Sequence, residues 1–430
     1  MTSSSRRKFI HQSSLATGAL ALTSRAVAAA DKITVGIIGP GGMGSAHLRT
    51  LCNNPAVNIA YVCDVDEQRL ARARATVEKA KGSAPKAVGD LRKVLEDPAV
   101  DAVWIATPDH WHGPATLLAC EAGKHVYVEK PASHNLREGR LMVEAAQRHR
   151  RVIQVGTQSR SSTSVREAMG LIQEGAIGDV LVAKAWNSQR RGSIGKSQSA
   201  KPPAHLNFDT WLGPSPEVPF RPNMLHGIWR WWHDYGTGDM GNDGVHDIDI
   251  ARWGLGVDTH PVKICAMGGK YVFTDDMQWP DTQNVLFEYA PGKDGRPRQL
   301  IFEMRIWSPY RQEGLENGNA FYGTKGMLLL GKLDGWKLYG ERNKLVKEGK
   351  ANVDLGAHHD NFLEAIRTGA KPHADIETGH LSSALCHLGN IAIRDGGMLQ
   401  FDPENEEIQG RANAMIRRRY REHWATPKGV

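Results

Sequence analysis

Two side chains in this chain stand where they could move a proton. Lys130 lies in "HVYVEKP", after an apolar run and before a proline, and His246 lies in "GDMGNDGVHDIDIARWGLG". If the second stretch is helical from about Asn242, then Asn242, His246, Asp249 and Trp253 fall at i, i+4, i+7 and i+11 on one face, with Asp247 turned away. An amide, an imidazole and a carboxylate on one stripe can present groups to a cleft. The competing reading makes His246 a hydrogen-bonded core histidine with Asp249 as its partner. For Lys130 the competing reading is a surface lysine ahead of a turn-forming proline.

What these groups could act on is suggested by "ITVGIIGPGGMGSAHL". Ile33 to Ile38 is a short β-branched run suited to a strand buried on both faces, and Gly39-Pro40-Gly41-Gly42-Met43-Gly44 supplies G-x-G-x-x-G. The first glycine allows the turn, the second lets backbone approach a pyrophosphate, and the third lets the following helix pack on the sheet. The helix N-terminus offers free N–H groups to the phosphates. "NIAYVCDVD" then reads as a second strand ending at Asp64, about 20 residues past the last glycine, where a carboxylate accepts from the adenosine ribose hydroxyls. An acid there repels a 2′-phosphate, which favours NAD over NADP. The alternative is that Asp64 or Asp66 only caps the next helix. With a nicotinamide in place, hydride transfer from a secondary alcohol needs a group to take the hydroxyl proton, and Lys130 and His246 are the candidates. A partly desolvated lysine beside a cationic ring is expected to give up its proton more readily.

Strand and helix patterns keep alternating through "DAVWIATP", "GPATLLACEAG", "HVYVEKP", "LREGRLMVEAAQRH" and "RVIQVGTQ", which argues for a doubly wound parallel sheet. Ligands sit at the carboxyl ends of such strands, so Thr107, Pro108, His110, His112, Glu129, Lys130 and Gln158 should share a rim with the glycine turn. Asp109, His110 and His112 could hold a metal, but no spaced partner set accompanies them, and lining of the cofactor pocket is the better reading. After about Gly156 the pattern changes. "VKICAMGG", "TQNVLFEYA", "RQLIFEMRIW" and "GMLLLG" are strands in succession without intervening helices, which read as antiparallel. "HHDNFLEAIRTG" and "GHLSSALCHLGNIAIRDG" are helices that stop at glycines.

"EKP" after the fifth strand, with the glycine fingerprint, "TPDHWH" and the HxxD stretch His246–Asp249, resembles the Gfo/Idh/MocA oxidoreductases from about Ile33 into the fourth hundred of residues. The resemblance implies an α/β chain with an N-terminal Rossmann domain and a C-terminal α+β domain built on a large, mostly antiparallel sheet. It implies action on sugars, cyclitols and related polyols, and a histidine over the nicotinamide that handles the substrate's proton. It also implies a cis peptide at Lys130–Pro131 and a matching position for His112. One departure stands out: the family often has an aspartate four residues before the histidine, where this chain has Asn242, which orients a hydroxyl but does not titrate. A homo-oligomer, dimer or tetramer, is expected.

Eight of the twelve tryptophans lie between Trp186 and Trp307, including "WRWW" at Trp229 to Trp232. Most should be core, with one or two free to stack on a sugar face, and Arg230 and His233 among them could bind hydroxyls. The 430 residues suggest two domains, with a leader at 1–30, a dinucleotide domain at 31–156 and a substrate and oligomerisation domain at 157–430. The leader, with Ser5-Arg6-Arg7-Lys8-Phe9-Ile10 and the small residues Ala26-Val27-Ala28-Ala29-Ala30, resembles a twin-arginine export signal. Removing its four cations takes the formal charge from +7 to +3, which weakens a nucleic-acid reading, and the remaining excess gathers at "RRRYR", Arg417 to Arg421, read as a solvated face. No run is long and apolar enough for a stable membrane anchor. The five scattered cysteines carry no metal or disulfide pattern.

An exported protein meets little free nicotinamide, so its cofactor should be held tightly and recycled in place in the periplasm. An oxidoreductase acting on a sugar, glycoside or cyclitol hydroxyl satisfies this. So does a redox-neutral glycosidase that oxidises, eliminates, hydrates and reduces. A non-catalytic sugar-binding protein that keeps NAD is the third reading, and the presence of both Lys130 and His246 argues against it.

Overall fold

Six short strands, each followed by a helix, build the first unit of the computed structural model, which describes residues 32–423 and residue 427. The export signal read at 1–30 lies outside the described residues. The elements run β1 (Ile33–Ile38), α1 (Gly42–Asn53), β2 (Val57–Cys63), α2 (Glu67–Lys81), β3 (Lys86–Val88), α3 (Arg92–Leu95), β4 (Ala102–Ile105), α4 (His112–Glu121), β5 (His125–Val128), α5 (Leu136–His149) and β6 (Ile153–Val155). All six strands pair in parallel in the order β3-β2-β1-β4-β5-β6, with Ile33 opposite Val57 and Val35 opposite Ala102. Val35, Ile37, Val103 and Ile105 are fully buried, because helices cover both faces of the sheet.

The second unit follows with α6 (Thr163–Gln173), β7 (Val180–Asn187), α7 (Phe208–Leu212), α8 (Val245–Leu255), β8 (Lys263–Gly269), β9 (Thr282–Tyr289), β10 (Arg298–Arg305), β11 (Asn317–Gly323), β12 (Met327–Gly331), β13 (Gly335–Tyr339), β14 (Leu345–Gly349), α9 (Leu355–Thr368), α10 (Ile376–Asp395), β15 (Met398–Asp402) and β16 (Glu407–Ile408). Ten strands form one sheet in the order β14-β13-β12-β11-β7-β10-β9-β8-β15-β16, antiparallel except where β7 meets β10. Its inner face carries the row Ile264, Phe287, Leu300, Ala183, Phe321 and Leu328, against which α8 and α10 pack. Two glycines set the depth of α8. A Cβ on Gly244 would lie 2.7 Å from Cζ of the buried Phe302, and one on Gly254 would run into the ring of Phe321.

The two units are stitched together by late segments of the chain. Phe362 and Leu363 of α9 and Ile376 of α10 enter the cores beside the first sheet. Arg140 of α5 binds Glu377 and Glu406, and Glu406 also accepts from His260 and His380 at 2.8 Å, so this buried cluster bolts α5 to the loop before β16. The basic run Arg417–Arg421 is not the solvated face expected. It is an extended arm whose Arg418 binds Glu138 at 2.7 Å and the His110 carbonyl at 2.6 Å, and whose Arg421 binds Asp209 and the Gly213 carbonyl. Among the described residues no helix is long and apolar enough to cross a membrane.

Candidate active site

A cleft separates the carboxyl edge of the first sheet from the second unit. Its floor begins at the turn after β1. Gly39 has φ +80, and a Cβ on Gly44 would collide with the Gly39 carbonyl oxygen, so that pair of glycines closes the strand onto α1. Gly39, Gly41, Gly42 and Met43 line the cleft, whereas Gly44 lies behind it as a packing residue. Asp64, at the end of β2, also lines it, and burial pushes its carboxyl up to about 6. Its neighbour Asp66 is the helix cap, accepting from the backbone N–H groups of Gln68 and Arg69. Helix N-terminus, glycine turn and carboxylate are thus arranged as a dinucleotide requires.

Across the sheet, β2 and β5 are three strands apart, which puts Asp64 and Lys130 about 14 Å from each other at ordinary strand spacing. Thr107, Pro108 and His112 line the rim between them. Both ring nitrogens of His112 face carbonyl oxygens, Pro131 at 2.7 Å and Thr107 at 3.0 Å, which ties the β4 loop to the turn after β5. Glu129 and Lys130 sit at the end of β5 and line the cleft. Burial alone would push the Glu129 carboxyl up, but the His47 hydrogen bond at 2.9 Å, with the charge of Lys130 nearby, holds it down at about 2. The Lys130–Pro131 peptide is cis, and Lys130 Nζ donates to the Asn242 carbonyl oxygen at 2.8 Å.

Asn242 does not begin an α-helix. Met240–Gly244 is a π-helical turn, and the α-helix starts at Val245, a form of local irregularity common at functional sites. Asn242 lines the cleft with its amide nitrogen held by Asp239 at 2.8 Å, and Asp239 is gripped in turn by Arg191 and Asn187. His246 is half-buried one turn on. Desolvation, helped by the charges of Lys332 and Lys130, brings its imidazole down to about 3, so it is neutral across the physiological range. Beneath it, Lys332 binds Asp247 at 2.8 Å and Asp243 at 3.4 Å.

Four other residues expected at the site are elsewhere. Asp249 is fully buried, where it takes a two-pronged hydrogen bond from Arg160 and one from Ser382. It pins α8 to the turn after β6 and meets no ligand space. Gln158 lies behind the cleft, donating to Glu129 and Tyr127. His110 is enclosed, with Nε2 2.8 Å from the Trp211 carbonyl oxygen, and desolvation lowers it to about 3. His233 packs on Trp279 with its ring 4.3 Å away, outside the cleft lining. Arg230 does line it, with Trp211 and Trp229.

The sequence reading missed the cover of the cleft. The irregular segment between β7 and α8 crosses back to the first unit, where the Glu67 N–H donates to the His205 carbonyl and the Asn207 N–H to the Val65 carbonyl, both at 2.9 Å. Leu206, His226 and Trp229 of this strap line the cleft, and His226 reaches Asp66 at 3.2 Å. Leu206, Trp211, Leu212, Met224 and Tyr235 give the strap a small core of its own. The clustered tryptophans were its one visible signal.

Comparison with known proteins agrees with this anatomy. Residues 33–157 match the model of an oxidoreductase family with an NAD-binding Rossmann fold, and residues 162–292 and 340–426 match the C-terminal alpha/beta domain of the same family. The levoglucosan dehydrogenase of Pseudarthrobacter phenanthrenivorans is 30% identical over 232 residues, 53% of this chain and 52% of that protein. A glycosyl hydrolase family 109 protein of Saccharopolyspora erythraea is 36% identical over 158 residues, 35% of this chain and 34% of that protein. The chain thus spans about half or less of the length of these curated relatives. Among solved structures, the WlbA dehydrogenase of Bordetella pertussis, in complex with NADH and UDP-GlcNAcA, superposes with a TM-score of 0.65 at 19% identity, covering 86% of this chain and 99% of that one. With both of its units matched in order along one chain, this protein belongs to the Gfo/Idh/MocA oxidoreductase family, whose Rossmann domain binds NAD.

Proposed function

We propose that this protein oxidises or reduces a hydroxyl of a sugar, glycoside or cyclitol by hydride transfer with NAD, and that the dinucleotide stays bound through the cycle. The observation that carries the reading is the contact of Lys130 Nζ with the Asn242 carbonyl oxygen at 2.8 Å, at the end of the cleft away from Asp64. The turn Gly39–Met43 and Asp64 would hold NAD, which would supply the hydride acceptor for the carbinol carbon. Lys130 Nζ, already aimed at one oxygen there, takes the hydroxyl proton when it stands as the free amine, and as the ammonium it returns that proton in the reverse direction. His246 has a different part. An imidazole kept neutral at about 3 orients the hydroxyl through a hydrogen bond without storing a proton. Ionised Glu129 sets a fixed negative charge beside Lys130. The strap pinned over Val65–Glu67 supports tight retention of the dinucleotide.

The test is mass spectrometry of ligand released from freshly purified, denatured protein, followed by sugar-driven absorbance at 340 nm from the native protein without added cofactor. NAD and a sugar-dependent signal are expected, and Lys130→Met should cut the rate by about 10²–10⁴. Native protein that is empty and takes up no dinucleotide would sink the reading. A redox-neutral glycosidase is the second reading, favoured by the strap, which would let a trapped cofactor return its hydride, and by the glycosyl hydrolase family 109 name of one relative. Release of aglycone from aryl glycosides with no added NAD would select it.

We also infer export through the twin-arginine translocase to the periplasm, on the strength of Arg6-Arg7 and the small residues at 26–30, and self-association through the outer face of the large sheet. That face exposes Met267, Leu286 and Tyr322. Cell fractionation of an Arg6→Lys/Arg7→Lys variant tests the first. Light scattering of wild type and Leu286→Glu tests the second.

A further inference from the structure

Among the described residues Arg230 is a cation with no salt-bridge partner. Among the described residues no carboxylate lies within 4 Å of its guanidinium, its Nε is buried with no hydrogen-bond partner, and its only close polar-face contact is the Trp229 ring, 5.4 Å from Cζ to centroid. The carboxylates nearest to it in charge, Asp239, Asp109 and Asp243, are all engaged by other groups. Asp239 is held by Arg191, Asp109 accepts from the Thr237 hydroxyl, and Asp243 is bound by Lys332 and Asn317. Leaving a desolvated charge unpaired is costly, and that cost is recovered when a ligand supplies the missing anion.

From this geometry we infer that Arg230 receives an anionic group of the substrate, so that the substrate class is an acidic sugar bearing a carboxylate or a phosphate monoester. The inference rests on the sugar-site reading above. A planar guanidinium suits either group through paired N–H donors, and the adjacent Trp229 offers an apolar face to the sugar ring. The dinucleotide's own phosphates are not the natural partner. They belong at the turn Gly39–Met43, whereas Asp239 and Asp243, carboxylates whose charge reaches Arg230, are bound to Asn242 and Lys332, on the Lys130 side of the cleft.

The test is calorimetric titration of the holoprotein with glucuronate, glucose 6-phosphate and glucose at low and high salt, with absorbance at 340 nm recorded on the same samples. At least one acidic sugar should bind more tightly than glucose by about tenfold or more, the yield of a charge-assisted hydrogen bond, and the advantage should shrink in salt. Which acid wins tells carboxylate from phosphate. Arg230→Met should abolish the ratio of acidic to neutral affinity, and Arg230→Lys should restore part of it. Equal affinities in the wild type, or a preference that survives Arg230→Met, would overturn the inference. If Arg230→Met fails to fold, the wild-type ratio with its salt dependence and the Arg230→Lys ratio decide. Arg230-dependent binding without any signal at 340 nm would leave this inference standing and remove the dehydrogenase reading.

Discussion

The depth at which α8 sits on the large sheet decides where Asn242 meets the cleft and where His246 stands one turn on, and Gly244→Ala tests this directly. The added Cβ would stand 2.7 Å from Cζ of Phe302, about 0.7 Å inside ordinary carbon contact. Phe302 is fully buried in mid-sheet. The helix must therefore lift, or the ring must leave its rotamer, and overpacking of this kind costs about 1–3 kcal/mol. In a unit of this size each kcal/mol lowers Tm by about 2–4 °C. A 1 Å error in a catalytic group can cost about 10²-fold, so a lift of this extent should slow turnover by about tenfold or more. Differential scanning calorimetry gives the first quantity, and reduction of bound NAD by a sugar gives the second. Gly244→Ala/Phe302→Leu, which reopens the space, should recover part of both. Unchanged Tm and turnover in the single variant would refute the claim that this contact sets the helix.

Other expectations follow from the same geometry. Asp64 is protonated below its raised value of about 6, so NAD affinity of cofactor-stripped protein should be full above that pH and fall as pH drops through it; Asp64→Asn should bind weakly with a flat profile, and an unshifted wild-type profile would remove the ribose role. Asp249→Asn breaks the buried pair with Arg160, which should cost about 3–5 kcal/mol in urea unfolding while the folded fraction keeps its KM; a raised KM at unchanged stability would return Asp249 to the substrate site. Leu206→Ala removes an anchor from the strap and about 2–5 kcal/mol of packing, so cofactor release on dilution should quicken by about tenfold or more; an unchanged release rate would mean that the strap does not retain the dinucleotide.

The first sheet was legible because its signals are local. β1, β2, β4 and β5 are short runs rich in β-branched, aliphatic and aromatic residues, and the alternation with helices dictates a parallel order. The second sheet was only half legible. β11, "NGNAFYG", has too little side chain to signal a strand, yet it lies in mid-sheet because β7 and β12 hydrogen-bond it from both sides. The short β13, β14 and β15 were missed for a similar reason, since each is held by a neighbouring strand more than by its own pattern.

At the site, residues whose role is written in the adjoining backbone were placed by pattern: the glycine turn, Asp64 at a strand end, and Lys130 before Pro131. Residues whose role depends on a distant partner were not. Asp249 faces an arginine 89 positions away, Gln158 stands behind Glu129, and the strap reaches from His205 to Val65. Sequence alone determined the dinucleotide scaffold, because strand, turn and helix N-terminus are set by neighbouring residues. Tertiary structure decided which polar groups face the ligand, because burial leaves a charge free for substrate only where no side chain from elsewhere in the chain has already neutralised it.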